Sequence, residues 1–109
     1  MGRIRVGLSG WSYDDWRGDF YPADLARARQ LAHAASRVDT IEVNGTFHGF
    51  VSPASFRSWR GTAPRGFVYA VKGSRYITHN LKLRGAEGAV ANFLASGVLE
   101  LDDTLGPML

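Results

Sequence analysis

The 109-residue chain contains no cysteine. Disulfides and thiolate metal centres are therefore excluded, and a reducing cytoplasm suits it. It has no run of eighteen apolar residues, so no membrane-spanning segment is encoded and no membrane partner is expected. The opening "MGRIRVG" lacks the apolar stretch of a secretory leader. Neither a P-loop nor a GxGxxG turn is present, and "GLSG" is too short to serve as a phosphate cradle. There is no internal repeat and no low-complexity tract. Lysine is nearly absent, at two residues against eleven arginines, in a chain of net charge +3. The arginines (Arg3, Arg5, Arg17, Arg27, Arg29, Arg37, Arg57, Arg60, Arg65, Arg75, Arg84) are scattered along the sequence. That scatter is the mark of a solvated surface, whereas a nucleic-acid footprint is clustered.

An alternation of strand-like and helix-like segments is present. Ile4–Leu8 puts Ile4, Val6 and Leu8 on one side with period two, and predicts a first strand. A helix is expected from Asp24, as a cap after Pro22, to Arg37, with Leu25, Ala28, Leu31, Ala32 and Ala35 as its apolar stripe. Thr40–Val43 predicts a second strand. "SPASF" then opens a helix with Ser52 as cap and Pro53 in the first position, where a missing N–H costs nothing, and Gly61 ends it. Phe56 and Trp59 form its buried face. Phe67–Val71 predicts a third strand. A third helix is expected over Ala86–Ser96, with Ala89, Val90, Phe93 and Leu94 inward and Gly97 as its stop. "LGPML" has the pattern of a fourth strand beginning.

This order predicts an α/β fold with parallel neighbours and right-handed crossovers. Ile4, Val6, Ile41, Val43, Phe67, Tyr69 and Val71 are expected to face the helices. The opposite face then carries Gly7, Ser9, Thr40, Glu42, Val68, Ala70 and Lys72. A doubly wound sheet needs apolar residues on both faces. So small and polar a second face suits the inside of a barrel, whose site lies at the carboxyl ends of the strands.

Four stretches, "GLSGWSYDDWRGDFYP", "VDTIEVNGTFHGFVSPASFRSW", "PRGFVYAVKGSRYITHNLKL" and "LGPML", together resemble the YecE-like family, the domain of unknown function 72. The resemblance implies a (β/α)8 TIM-barrel fold with no established activity. It implies that residues 1–109 are the N-terminal part of one barrel domain, the first three to four βα units of a partial, open barrel. The chain departs from the family pattern at Gly45, His48 and Gly49, where Ser-type, Tyr and Arg residues are expected. An incomplete barrel is also expected to associate edge to edge with another copy.

Glu42 and Lys72 stand at the carboxyl ends of sequential strands, about 5 Å apart if directly paired. Both match positions that the family pattern keeps as Glu and Lys. One reading makes Glu42 a general acid or base and Lys72 an electrophile, anion clamp or imine former. The other makes them a structural ion pair. The loop after the third strand adds His79 as a proton shuttle, with Arg75 and Tyr76 as ligand contacts. Trp11 and Tyr13 are candidates for an aromatic wall in the first loop, and Asn44 for a polar contact. Trp16, Phe20 and Tyr21 are expected to anchor that loop on the first helix. Glu42, His48 and His79 match no tight metal motif, so neither metal nor cofactor is expected. The expected function is an enzyme on a small polar or anionic, sugar- or phosphate-like metabolite. The alternatives are a nucleic-acid-associated protein, suggested by basic charge and exposed aromatics, and an inactive fragment.

Overall fold

Four parallel strands and four helices are laid out in a computed structural model that describes residues 2–109. In chain order they are β1 (Gly7–Ser9), α1 (Gln30–Ala35), β2 (Thr40–Val43), α2 (Gly45–His48), α3 (Pro53–Thr62), β3 (Val68–Val71), α4 (Glu87–Ala95) and β4 (Leu105–Met108). The sheet order is β1-β2-β3-β4, each strand beside its sequence neighbour. Leu8 pairs with Ile41 and Ile41 with Tyr69, so one row runs straight across three strands. Between β3 and β4 the register slips, from Tyr69 opposite Leu105 to Val71 opposite Met108. Gly106 and Pro107 lie in that stretch. Pro107 brings no N–H, and a Cβ on Gly106 would stand 2.8 Å from the Tyr69 carbonyl oxygen.

The period-two reading of β2 and β3 is borne out. Ile41, Val43, Phe67, Tyr69 and Val71 are all buried in one core with Phe56, Leu31, Val98 and Leu101. Each such side chain contributes about 1.5–3 kcal/mol by leaving water. Tyr69 is buried whole, and its hydroxyl donates to the Trp59 carbonyl at 2.7 Å, so its one polar group is satisfied. Burial raises the Tyr69 pKa well above the usual phenol value.

The first strand is a correction. Ile4 is 89% exposed and Val6 67%, so neither is part of the buried core. Pairing with β2 begins only at Thr40, opposite Gly7. Below that level the Asp39 amide binds the Val6 carbonyl at 2.9 Å, and the Asp39 carboxylate accepts from the Val6 amide at 3.3 Å. Ile4 and Val6 therefore lie beyond the level at which β2 could continue the strand.

The first helix starts later than Asp24. Residues 22–25 form a turn closed by Leu25 N to Pro22 O, and a single 3₁₀ turn at Arg27–Arg29 leads into α1. Asp24 caps nothing. The buried stripe is Gln30, Leu31, Ala34 and Ala35, while Ala28 and Ala32 are exposed. The delay has a physical origin in the aromatic loop, where Arg17 reaches the Leu25 carbonyl at 2.9 Å and holds the chain in a turn. In α3, Ser52 Oγ accepts from the Ser55 amide at 3.2 Å with Pro53 in the first position, as expected, although the helix runs past Gly61 to Thr62. Gly97, at φ +117°, stops α4, and Val90 on that helix is exposed where it was expected inward.

Candidate functional site

The inner face of the sheet carries its ionisable residues at the carboxyl end. Ser9, Glu42 and Ala70 share one register row. Ser9 Oγ donates to Glu42 Oε1 at 3.2 Å, and Asn44 Nδ2 donates to Ser9 Oγ at 2.9 Å. The Tyr13 hydroxyl donates to the Ser9 carbonyl at 2.5 Å. Gly10, at φ +73°, turns the chain so that its amide reaches the Glu42 carbonyl at 2.9 Å. A side chain at Gly10 would be strained there and would meet the Tyr13 hydroxyl at 2.9 Å. The tip of β1 is thus tied to Glu42 of β2 and to Asn44 just beyond it, and Glu42 is held by a neutral hydroxyl.

Lys72 follows β3 directly. Its amide donates to the Val43 carbonyl at 3.1 Å, which continues the ladder by one bond. It is not opposite Glu42. Ala70 occupies that position, so Lys72 sits two residues further along, a diagonal of roughly 8 Å between backbones. Among the described residues the ion pairs are Arg27–Asp14, Arg57–Glu100, Arg60–Asp102 and Arg60–Asp103, with none between Glu42 and Lys72. The structural ion pair is therefore not formed. Lys72 Nζ instead lies over the Phe47 ring, 4.5 Å from its centroid.

The short helix α2 makes this contact possible. Thr46 Oγ1 donates to the Lys72 carbonyl at 2.5 Å, which docks α2 on the end of β3 and sets Phe47 under the ammonium. His79 packs edge-on against the same ring with centroids 5.2 Å apart, and its Nδ1 is 2.7 Å from Thr78 Oγ1. His79 sits in a single π-helical turn, Tyr76–Asn80. Lys72, Phe47 and His79 thus form one corner. Arg75 and Tyr76 are exposed beside it and line a hollow of about 220 Å³ together with His48, Val51 and Asn80.

Trp11 is placed elsewhere. It packs edge-to-face on Trp59 of α3 at 5.3 Å, toward the helical layer and away from the inner face. With Tyr13, Asn44 and Val51 it lines a separate hollow of about 350 Å³. Glu42, Lys72, Arg75 and Trp11 therefore do not form the single cluster expected. Trp16, Phe20 and Tyr21 do anchor the first loop: Trp16 meets Phe20 at 5.5 Å, and Phe20 meets His33 of α1 at 5.3 Å. Burial, and then the neighbouring Tyr13, raise the Tyr21 pKa above the ordinary phenol value.

Two residues of the corner and the row were not among the expected site residues. Ser9 shares the parity of Glu42 and ends its strand, which was a usable signal. Phe47 lies in "NGTFHGF", and nothing in its spacing marks it as a platform for Lys72. Among the described residues no three His, Asp or Glu side chains gather as a metal site. No helix is long and apolar enough to cross a membrane. At the opposite, amino end of the sheet, Arg5, Arg57, Arg60 and Arg65 surround a hollow of about 590 Å³. Arginines scattered in sequence are thus partly gathered in space, with Arg57 and Arg60 already paired to acids.

Residues 5–109 match the sequence pattern of the family described as protein of unknown function DUF72. The chain belongs to the DUF72 family. Its fold is that of solved DUF72 proteins. One from Thermotoga maritima MSB8 is 26% identical with a TM-score of 0.77, over 95% of this chain and 42% of that one. Another, from Enterococcus faecalis V583, is 21% identical with a TM-score of 0.69, over 94% of this chain and 37% of that one. This DUF72 chain thus spans about two fifths of the length of the solved structures it matches. Its parallel βα units form part of a (β/α)8-type barrel, as the resemblance implied. Among curated proteins none matches the chain.

Proposed function

We propose that the Lys72–Phe47–His79 corner binds the anionic group of a small polar metabolite, in the amino-terminal portion, residues 1–109, of one cytoplasmic barrel domain. The observation that carries this is the state of Lys72: an ammonium at the mouth of the sheet, over an aromatic face, with no carboxylate on it among the described residues. An ammonium in that setting attracts a phosphate or carboxylate oxygen. Arg75, exposed next to it, supplies a planar fork for the same group. His79 is within the same corner and can carry a proton between ligand and water. Glu42, one row deeper and held by Ser9, is the candidate general base or acid for an enzyme acting there. Tyr76 borders the entrance. Trp11, Tyr13 and Asn44 belong to the neighbouring hollow and would contact only a ligand long enough to reach past β2. A chain without cysteine has no call for an oxidising compartment, which supports the cytoplasmic setting.

Titration of the isotope-labelled chain with inorganic phosphate tests this by NMR. Shifts are expected at Lys72, Phe47 and His79, and they should vanish in Lys72→Met. Shifts of equal size in Lys72→Met, or none in the native chain, contradict the reading.

A second reading, association with nucleic acid, draws support from the four arginines around the amino-end hollow. It predicts binding to single strands that weakens steeply with salt. The acids paired to Arg57 and Arg60 reduce its charge and make it the weaker of the two.

A further inference from the structure

The hollow of about 220 Å³ that Arg75 lines adjoins a second one of about 450 Å³, and Phe50, Ser74, Tyr76 and Phe93 wall both. The two differ in character. His48, Arg75 and Asn80 belong to the smaller. Of the residues that line only the larger, Leu81, Gly85 and Ala89 are apolar and Asn92 is polar. All the walls come from residues 46–96, in the second and third βα units, whose strands each have a neighbour on both sides. The π-helical turn shapes the larger hollow. The Leu81 amide donates to the Tyr76 carbonyl at 2.8 Å, an i to i+5 bond that sets Leu81 one turn along from Tyr76, and both line the space. In an α-helical turn five residues would carry Leu81 about 140° around the axis from Tyr76 and away from it.

We propose that the two joined hollows take one ligand, a small acid whose phosphate or carboxylate sits at Arg75 and whose single aryl ring enters the larger hollow beside Phe93. This rests on the reading that the Lys72 corner holds an anion, and it adds what the rest of that ligand is. Size is the first support, since small-molecule sites enclose about 300–1,000 Å³ and the larger hollow falls in that range. Polarity is the second. Such sites bind through apolar walls and orient the ligand with a few polar groups. Arg75 supplies a planar fork for an anion, and no acid is paired with it among the described residues. A polyol in the larger hollow would instead leave hydroxyls against Leu81 and Ala89 without hydrogen-bond partners, which is costly. The third support is the shared wall itself, where Phe50, Tyr76 and Phe93 supply three rings. Edge-to-face and offset contacts with those rings favour an aryl group beyond the area it buries.

NMR titration of the isotope-labelled chain with phenyl phosphate, inorganic phosphate and benzyl alcohol tests this, and on the native chain it needs no variant to fold. Phenyl phosphate is expected to bind at least about tenfold more tightly than inorganic phosphate, the least that burying a Phe-sized ring contributes. It should shift Leu81, Ala89 and Phe93 together with Arg75. Equal affinities, or shifts confined to Arg75 and Lys72, overturn the inference. The response of Lys72 to inorganic phosphate then separates the two failures: if it is present, only the aryl half is wrong, and if it is absent, the anion reading is wrong as well. Phenyl phosphate binding no more tightly than benzyl alcohol shows that Arg75 holds no anion, and also overturns the inference. Arg75→Gln should abolish the preference for phenyl phosphate over benzyl alcohol. Ala89→Phe, which fills the larger hollow, should abolish its preference over inorganic phosphate. Either preference surviving its substitution contradicts the placement of that half of the ligand.

Discussion

The two faces of the sheet are built to different standards. The outer face, through Ile41, Val43, Tyr69 and Val71, is sealed under α1 and α3 and is almost dry. The inner face, made of Gly7, Thr40, Glu42, Val68 and Ala70, is half open. Stability in this chain comes from the first face. The second is left for what completes it, whether a ligand at the carboxyl end or further strands at the edges. The residues follow this division: large and branched side chains outward, small or ionisable ones inward. Gly7 marks where the backbones of β1 and β2 come closest, since a Cβ there would lie 2.0 Å from the Thr40 carbonyl oxygen.

If the outer face carries the fold, truncating it should be the most damaging change. Phe56→Ala, at a side chain with no exposure, should cost about 3–5 kcal/mol in urea unfolding. A loss under 1 kcal/mol would mean that the helical layer is not packed on the sheet. Tyr69→Phe removes one buried hydrogen bond and should cost about 1 kcal/mol. It has a second readout. Burial raises the Tyr69 pKa above the ordinary phenol value of 10.0, so the folded protein keeps that proton longer than the unfolded chain. The associated stability is full below about pH 10 and is lost as pH rises through the folded value. Native protein should lose stability in that alkaline range more steeply than Tyr69→Phe, and parallel pH curves would contradict the burial. Ser52→Ala should cost about 1 kcal/mol through the lost cap of α3. On the inner face Glu42→Gln should change stability by under about 0.5 kcal/mol, since only the Ser9 hydroxyl holds the carboxylate. A larger loss would assign Glu42 a structural role.

The same division explains what was legible beforehand. Period two in "TIEV" and "VYAV" assigns each residue of β2 and β3 to its face, because parity needs no knowledge of the rest of the chain. Ser52 and Pro53 announce α3 for a local reason. Height along the sheet is a different kind of information. That Glu42 meets Ala70, with Lys72 two residues beyond, depends on the register between strands. Register is set by the packing of both faces and of the loops. The delayed start of α1 arises from contacts of Arg17 and the aromatic loop, and α2 from the Thr46 bonds to β2 and β3. The displacement of Trp11 onto Trp59 is likewise tertiary. Ile4 and Val6 read as core by alternation, and are exposed because β2 begins at Thr40.

The most direct test uses one chemical change on opposite faces of a single strand. Val71 and Val68 both belong to β3, the first fully buried on the outer face and the second half-buried on the inner. Urea unfolding of Val71→Ala and Val68→Ala should be compared at a protein concentration low enough to keep chains apart. The account predicts a loss of roughly 2 kcal/mol for Val71→Ala and under about 0.5 kcal/mol for Val68→Ala. Equal losses would show that both faces are packed alike and would contradict it.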